Sequence, residues 1–490
     1  MAEWAALWRA GLLSPRTAAA LGLGAAREGP NPAALLAAGA WRYGDRTALD
    51  DGVERVSYMQ LATEVRALAA GLRRDHGLGP GRRIALLGSD GVAFVRALFA
   101  ATRTGADVVL LNPDWTAAQL AALVARVRID LLLHDADLAT GLPVPRATLT
   151  ALTPGRARLP RARGGGVAVM TGGTTGQAKM ARRRPSPVAF ARSFAGLVGA
   201  LDLGRHRRGL NATPLHHGFG LAALFVGLAL GQTLHLRRRA GAAEAKDLIA
   251  REGLTIVTLV PTLLDRLLRA GALDRIGCVV CGGAPLSPAL AAAVLDRCGP
   301  VLHNLYGTSE GGVATLAGPA DLHAAPGSVG RALPGVRLRI ADAEGAALPV
   351  GETGRVLVKS PVAVARDWQD TGDLGHIDAA GRLTLRGRAD DMIVSGGENV
   401  YPDDVAAALR RHPAVAAAAA VGVGDASFGQ RLIAFVEPAA PVTAEALTGW
   451  LAGEVARHER PRALLLLDAL PLTPLGKVDL RRLRTLAASS

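Results

Sequence analysis

The sequence predicts an α/β fold: a large N-terminal part of parallel αβ layers, a β-rich stretch behind it, and a small αβ unit at the C-terminus. Three observations predict it. Strand and helix patterns alternate between 82 and 137 and again between 250 and 300, as parallel strands with crossover helices do. Short alternating runs broken by Gly and Pro follow from about Gly330, which reads as antiparallel β. A short αβ pattern returns after Gly387.

Arg83 to Leu87 is an apolar strand closed by Gly88-Ser89-Asp90. Val92 to Thr104 has helical spacing and stops at Gly105, the residue that best ends a helix. Ala106 to Leu111 reads as a strand, Thr116 to Val127 as a helix, and Ile129 to Leu133 as a third strand. The second array runs strand Leu254–Leu259, helix Pro261–Ala270, strand Ile276–Val280 and helix Leu286–Cys298. Between the arrays, Gly218 to Gly231 is the longest apolar run. It is too short for the ~20 residues a membrane span needs, so it reads as a buried helix. Val336–Ile340, Gly354–Val358 and Arg382–Arg386 are the antiparallel runs. Helix Pro402–Arg411, strands Ala414–Val423 and Arg431–Glu437, and helix Thr443–Arg457 close the chain, enough for a small domain of about 100 residues.

Composition narrows the function classes. Of 490 residues half are hydrophobic and a fifth charged, so the chain buries a large core. The net charge is +14, but only four of the 56 basic residues are lysine. With Ala and Gly so abundant, that is the mark of a GC-rich coding bias more than of a nucleic-acid partner, and no aromatic-interleaved module accompanies the runs 182–184, 206–208 and 237–239. Cys278, Cys281 and Cys298 are too few for a disulfide framework. Cys278 and Cys281 flank a strand-like Val-Val pair and read as buried thiols. The first ten residues lack the basic start and apolar run of a secretory signal. A cytoplasmic protein with neither a membrane nor a nucleic-acid partner is the expectation.

Chemistry concentrates in a few loops. The strand Val167–Met170 runs into Thr171-Gly172-Gly173-Thr174-Thr175-Gly176-Gln177-Ala178-Lys179. Glycines let backbone N–H groups converge, hydroxyls add donors and an ammonium neutralises charge, which is how a loop holds phosphate. The Walker spacing does not fit: Lys179 follows no glycine and precedes no Ser or Thr. Asn304 to Glu310, after a short strand at Val301-Leu302, offers an aromatic face, hydroxyls and a carboxylate. Thr371-Gly372-Asp373 puts a carboxylate on a tight turn, suited to a ribose diol. Leu472 to Lys477 carries a lysine on a loop near the end. Two of the four lysines thus sit in these loops, where a compact ammonium serves better than a guanidinium.

In this order the motifs resemble the adenylate-forming superfamily of acyl-CoA synthetases, luciferases and nonribosomal adenylation domains. The resemblance runs from about residue 40 to the C-terminus. It takes in 171–179, Pro214-Leu215-His216-His217-Gly218-Phe219-Gly220, Gly282 to Leu286, Tyr306 to Glu310, Thr371 to Asp373, Gly387 to Pro402 and Pro474 to Lys477. It implies an AMP-binding N-terminal domain, 1–389, and a small mobile α+β lid, 390–490, that carries the catalytic lysine. It implies that Thr171, Gly173, Thr174, Thr175, Gly176 and Lys179 hold the β- and γ-phosphates of ATP. Tyr306 would stack on adenine with Gly283 and Ala284 opposite, and Asp373 would bind the ribose with support from Arg388. Ser309 would touch the α-phosphate, Glu310 would hold Mg²⁺, and Lys477 would bridge substrate carboxylate and α-phosphate. His217 would gate the acyl pocket, Asp390 would be the hinge, and Gly396 and Gly397 would line the pantetheine tunnel.

The implied reaction converts a carboxylic acid to an acyl-adenylate with loss of pyrophosphate, then passes the acyl group to CoA. A carrier protein or an amine as acceptor, or nitrite activation for diazotisation, is the alternative second step. An inactive nucleotide-binding regulatory subunit and a basic nucleic-acid-associated protein are the rivals from other classes. The acid is expected to be of aryl or short acyl type, and the protein a monomer or homodimer. Several positions depart from the pattern: Gly172 stands for Ser, Ala178 for Pro, Met180 for Gly and Ala406 for Glu, and the stretch between Ser360 and Trp368 is short.

Overall fold

The computed structural model describes residues 2–488 except 114, 116, 139–140, 172–178, 183–186, 238–240, 309, 364–366, 390, 396–397, 426–428, 456–458 and 474–476. The described residues form three sheets. The first has six strands in the order Arg146–Thr148, Leu131–His134, Arg83–Leu87, Asp107–Leu110, Val167–Thr171 and Lys179–Arg182. All neighbours are parallel except the last pair, a hairpin in which Thr171 faces Lys179. Helices Val92–Thr104 and Ala117–Arg126 make the predicted crossovers.

The second sheet has thirteen strands. At its centre Thr47–Asp50, Thr233–Leu236, Arg208–Asn211, Ile256–Leu259, Cys278–Gly282 and Leu302–Thr308 run parallel. Beyond Leu302–Thr308 the order continues through Gly312–Ala317, Ser328–Ala332, Leu383–Arg388, Gln369–Ile377, Gly354–Lys359 and Arg337–Ala341, every pair antiparallel. The antiparallel region expected after residue 330 is therefore an extension of the parallel sheet. A third, five-stranded sheet is built from Ile393–Ser395, Glu398–Val400, Val415–Asp425, Gly429–Pro438 and Ala463–Leu466. It is covered by helices Pro402–Arg410, Ala444–Glu454 and Leu480–Ala488, with Phe435, Leu447 and Leu483 fully buried.

Local sequence explains the elements. Helix Tyr58–His76 starts at Ser57, whose hydroxyl accepts the Gln60 N–H, and ends at Gly77 in the left-handed region, the usual pair of caps. Its buried stripe is Leu61, Ala62, Val65, Ala69 and Leu72, a helical period. Gly71 has no alternative there, because a Cβ would lie 1.7 Å from the Thr153 carbonyl oxygen. Helix Gly218–Leu230 has no exposed residue, in line with its unbroken apolar run. Cys278 and Cys281 are buried on a strand, and desolvation pushes both thiols up to about 12. Among the described residues, no helix is long and apolar enough to cross a membrane.

Four expectations need correction. Asn304 to Thr308 are strand, not loop, because Leu302–Thr308 is paired on both edges. Thr371-Gly372-Asp373 is not a hairpin turn but a bulge inside Gln369–Ile377, where the register against Gly354–Lys359 shifts and Gly372 takes φ +72°. The helix expected to reach Arg457 ends at Glu454. Three helices, Ala2–Arg9, Pro15–Glu28 and Pro32–Tyr43, fill the first 43 residues, where no element was assigned. Buried Arg103 ties them to the first layer through an ion pair with buried Glu28, and also donates to the carbonyls of Pro160 and Leu159.

Candidate active site

The site lies at the carboxyl ends of the parallel strands, where open α/β sheets bind ligands. Strand Cys278–Gly282 ends in Gly283, which has φ +78°, and in half-buried Ala284. A Cβ on Gly282 would come 2.7 Å from the Leu305 carbonyl oxygen and 3.3 Å from the Phe219 ring. The next strand presents Tyr306. Its hydroxyl donates to Asp373 Oδ2 at 2.6 Å. Burial first, and then the Asp373 carboxylate, raise the Tyr306 hydroxyl well above the ordinary tyrosine value.

Asp373 owes its place to the bulge. The Thr371 hydroxyl donates to the Val356 carbonyl at 2.9 Å and accepts the Asp373 N–H at 3.1 Å. Arg388 is the cross-strand neighbour of Asp373. Its Nη1 donates to Asp373 Oδ1 at 2.9 Å and to the Thr371 carbonyl at 2.8 Å. Gly372 takes φ +72°, which favours glycine, and a Cβ there would sit 2.5 Å from Arg388 Nη2 and push that guanidinium aside.

Lys477 reaches the same place from the C-terminal part. Its short turn is closed by the Leu472–Val478 bridge and by the Thr473 N–H donating to the Lys477 carbonyl at 2.6 Å. Lys477 is an exposed residue whose ammonium nevertheless loses part of its hydration to the protein. That loss of hydration lowers its pKa, and the opposing pull comes from Asp373. Lys477 therefore lies within electrostatic range of Asp373. Arg386, from the thirteen-stranded sheet, pairs with Asp404 of helix Pro402–Arg410 at 3.3 Å, and Asp391 pairs with Arg484.

His217 occupies the N-cap of helix Gly218–Leu230. Its ring lies 4.4 Å from that of buried His216. Asn211 shapes this turn: its amide donates to the Gly220 carbonyl at 3.0 Å and its oxygen accepts the Thr213 hydroxyl at 2.6 Å. Glu310 is half-buried in the turn between Leu302–Thr308 and Gly312–Ala317, and the Gly311 N–H donates to the Thr308 hydroxyl at 2.8 Å.

Hydrogen bonds thus bring Tyr306, Asp373 and Arg388 together, and Lys477 lies within electrostatic range of them. Thr171 and Lys179 are described only as paired backbone. Gly173, Thr174, Thr175, Gly176, Ser309, Asp390, Gly396 and Gly397 lie outside the described residues. Asp90 and Asn211, which the sequence did not flag, hold the turn that carries His217. Asp90 makes its contact with Leu215 across 125 positions, and no local pattern marks such a pair.

A carboxylate beside a phenol ring, next to two glycines that keep a strand end bare, suits a ribose and its base. Among the described residues no three His, Cys, Asp or Glu side chains gather to hold a metal. That is compatible with Mg²⁺ shared with phosphates, which takes only one or two carboxylates from protein.

The fold and this group of residues suit a nucleotide-binding enzyme, with Lys477 coming from a turn of the C-terminal part. The AMP-binding enzyme family matches residues 36–367, and the AMP-binding enzyme C-terminal domain matches 404–477; the chain belongs to this family. It is 31% identical to a 2-succinylbenzoate–CoA ligase of Bacillus licheniformis, over 89% of this chain and 95% of that protein. It is 30% identical to a feruloyl-CoA synthase of an Amycolatopsis species, over 88% and 94%. Among solved structures, the o-succinylbenzoate CoA synthetase of Bacillus subtilis in complex with its acyl-adenylate intermediate superposes with TM-score 0.83 at 26% identity, covering 93% of this chain and 98% of that one. The amide bond synthetase of Marinactinospora thermotolerans superposes with TM-score 0.79 at 29% identity, covering 93% and 99%.

Proposed function

We propose that this chain activates an aryl or short acyl carboxylic acid with ATP and transfers the acyl group to CoA, in the cytoplasm. Its class, an AMP-forming acid ligase, rests on family membership and on relatives that are acid–CoA ligases. The acid and the acceptor are our reading. The single observation that carries the reading is the hydrogen-bonded group of Tyr306, Asp373 and Arg388, with Lys477 within electrostatic range of Asp373.

A carboxylate is a weak nucleophile, and both reactants are anions. Catalysis is mostly alignment and charge neutralisation. Asp373 takes the ribose hydroxyls, exchanging the Tyr306 hydroxyl for them, while Arg388 fixes the carboxylate's orientation. The Tyr306 ring and the Gly283–Ala284 backbone flank adenine. Thr171, Gly173, Thr174, Thr175, Gly176 and Lys179 take the outer phosphates, and Ser309 the α-phosphate. Mg²⁺, when bound at Glu310, neutralises phosphate charge. Lys477 holds the acid's oxygen against the α-phosphorus. The O–P bond forms as the bond to pyrophosphate breaks, leaving acyl-adenylate. Residues 390–490 then turn about Asp390 as a lid on the domain 1–389. Lys477 leaves, and the thiol enters past His217 along Gly396 and Gly397. Thioester forms and AMP departs.

The likeness to an amide bond synthetase favours one second reading, an amine as acceptor. Pyrophosphate release across a panel of aryl, alkyl and amino acids tests the proposal, with mass detection of the product formed from CoA or from an amine. Release that requires ATP, Mg²⁺ and one acid class, and that Lys477→Ala abolishes, is the expected result. ATP binding without turnover by any acid contradicts it.

A further inference from the structure

The loop after strand Arg83–Leu87 is anchored by two carboxylates from outside it. The Ser89 N–H donates to Asp135 Oδ2 at 2.6 Å. The Val92 N–H donates to Asp51 Oδ2 at 2.8 Å. Asp51 belongs to the other layer, directly after strand Thr47–Asp50, and its Oδ1 is fixed by the N–H groups of Val53 and Glu54 at 2.9 Å each. Gly91 allows the close approach, since a Cβ there would lie 3.0 Å from Asp51 Oδ2. Between these two anchors stands Asp90. Its Oδ1 accepts the Leu215 N–H at 2.8 Å, so the first sheet grips the turn that precedes His216 and His217 in the second.

That turn has little slack. Leu215 is fully buried. The His217 N–H donates to the Pro214 carbonyl at 3.1 Å, and the His217 carbonyl accepts the Leu221 N–H at 3.0 Å. Gly220 packs so tightly on Pro214 that a Cβ would meet its carbonyl oxygen at 2.3 Å. A shift of the Leu215 backbone is therefore passed to His217 two residues on, at the N-cap of Gly218–Leu230, and to Phe219, which covers Gly282. The nucleotide-side group of Tyr306, Asp373 and Arg388 shares none of these hydrogen bonds.

We infer that Asp90 is a positioning residue for the acid side of the cleft: through the Leu215 backbone it sets where His217 and Phe219 stand, and so governs acid recognition without touching ATP. This rests on the functional reading above, in which His217 borders the acyl pocket. A charge-assisted acceptor lost from a buried N–H costs enough to move its segment. The loss is read on one substrate only.

The test measures KM for the acid and for ATP in the pyrophosphate-release assay, with the full-length protein, its Lys477→Ala variant, Asp90→Ala and Asp90→Asn. Asp90→Ala should raise acid KM by about tenfold or more while ATP KM stays within about twofold. Asp90→Asn, which keeps an oxygen at the same place, should recover most of the loss. A merely structural role would lower the active fraction, and so kcat, with both KM values unchanged. That outcome overturns the inference, as does a parallel rise in both KM values or an Asp90→Asn variant as impaired as Asp90→Ala. Should Asp90→Ala fail to fold, Asp90→Glu moves the acceptor by one methylene and carries the same test: a rise in acid KM alone supports the assignment, and none refutes it. Acid-dependent release in the wild type, abolished by Lys477→Ala, separates the two levels. If that release is present and Asp90 is silent, only this inference fails; if the release itself is absent, the functional reading falls and the inference with it.

Discussion

Replacing Asp373 by alanine removes the carboxylate that both Tyr306 and Arg388 hydrogen-bond. Asp373 accepts the Tyr306 hydroxyl at 2.6 Å and Arg388 Nη1 at 2.9 Å. A ribose diol would bring two donors to this group, each worth about 1.5–3 kcal/mol against a charged acceptor. One of them displaces the Tyr306 hydroxyl rather than filling a bare acceptor, so the lower end applies. Two such bonds give about 3 kcal/mol, or roughly a hundredfold in ATP affinity. Asp373→Asn keeps a neutral acceptor and should cost about tenfold. The assay is calorimetric ATP binding beside ATP and acid KM values in pyrophosphate release. Acid KM should hold steady, because the His217 turn shares no bond with Asp373. An Asp373→Ala protein that binds ATP within about threefold of wild type would refute the assignment of the ribose to this carboxylate.

Other consequences can be checked on the same protein. In the proposed role Lys477 is an ammonium whose pKa is lowered by lost hydration; the first half-reaction should decline as pH rises, starting below lysine's ordinary titration at about 10.4, and a wild-type pH–rate profile that stays flat up to that pH would count against the role. Glu28→Ala leaves the Arg103 guanidinium buried without its carboxylate and should cost about 3–5 kcal/mol in urea unfolding. Cys278 and Cys281 are buried with thiols pushed up to about 12, whereas Cys298 is only half-buried; a thiol reagent at neutral pH should label at most Cys298 in the native protein and all three cysteines after unfolding, as counted by mass.

How far the sequence carried depended on whether the determining contacts were local. The parallel strands around Ile84, Val108 and Leu132 were legible because strands buried on both faces read as continuous apolar runs. The antiparallel runs after 330 were legible from their Gly and Pro breaks. Strand Leu302–Thr308 was not, since Asn304, Gly307 and Thr308 look like loop residues. Pairing with Cys278–Gly282 and Gly312–Ala317 overrides that weak preference. The helices over the first 43 residues are Ala- and Gly-rich and carry faint periodicity; packing of Pro15–Glu28 on Pro32–Tyr43, including Gly24, whose Cβ would lie 2.5 Å from the Ala34 carbonyl oxygen, holds them. In the site, Tyr306, Asp373, Arg388 and Lys477 were readable as motif residues. Their convergence was not, because a bulge at Gly372 and a turn from another sheet create it. Asp90 had no sequence signal at all, its partner being a backbone N–H in the opposite layer.

The central claim is that a carboxylate oxygen of the acid attacks the α-phosphorus. Acid labelled with ¹⁸O in both carboxylate oxygens, turned over with ATP and an excess of acceptor, tests it by mass analysis of the nucleotide product. AMP carrying one ¹⁸O is the predicted result. Unlabelled AMP, or ADP with the label in orthophosphate, would contradict it.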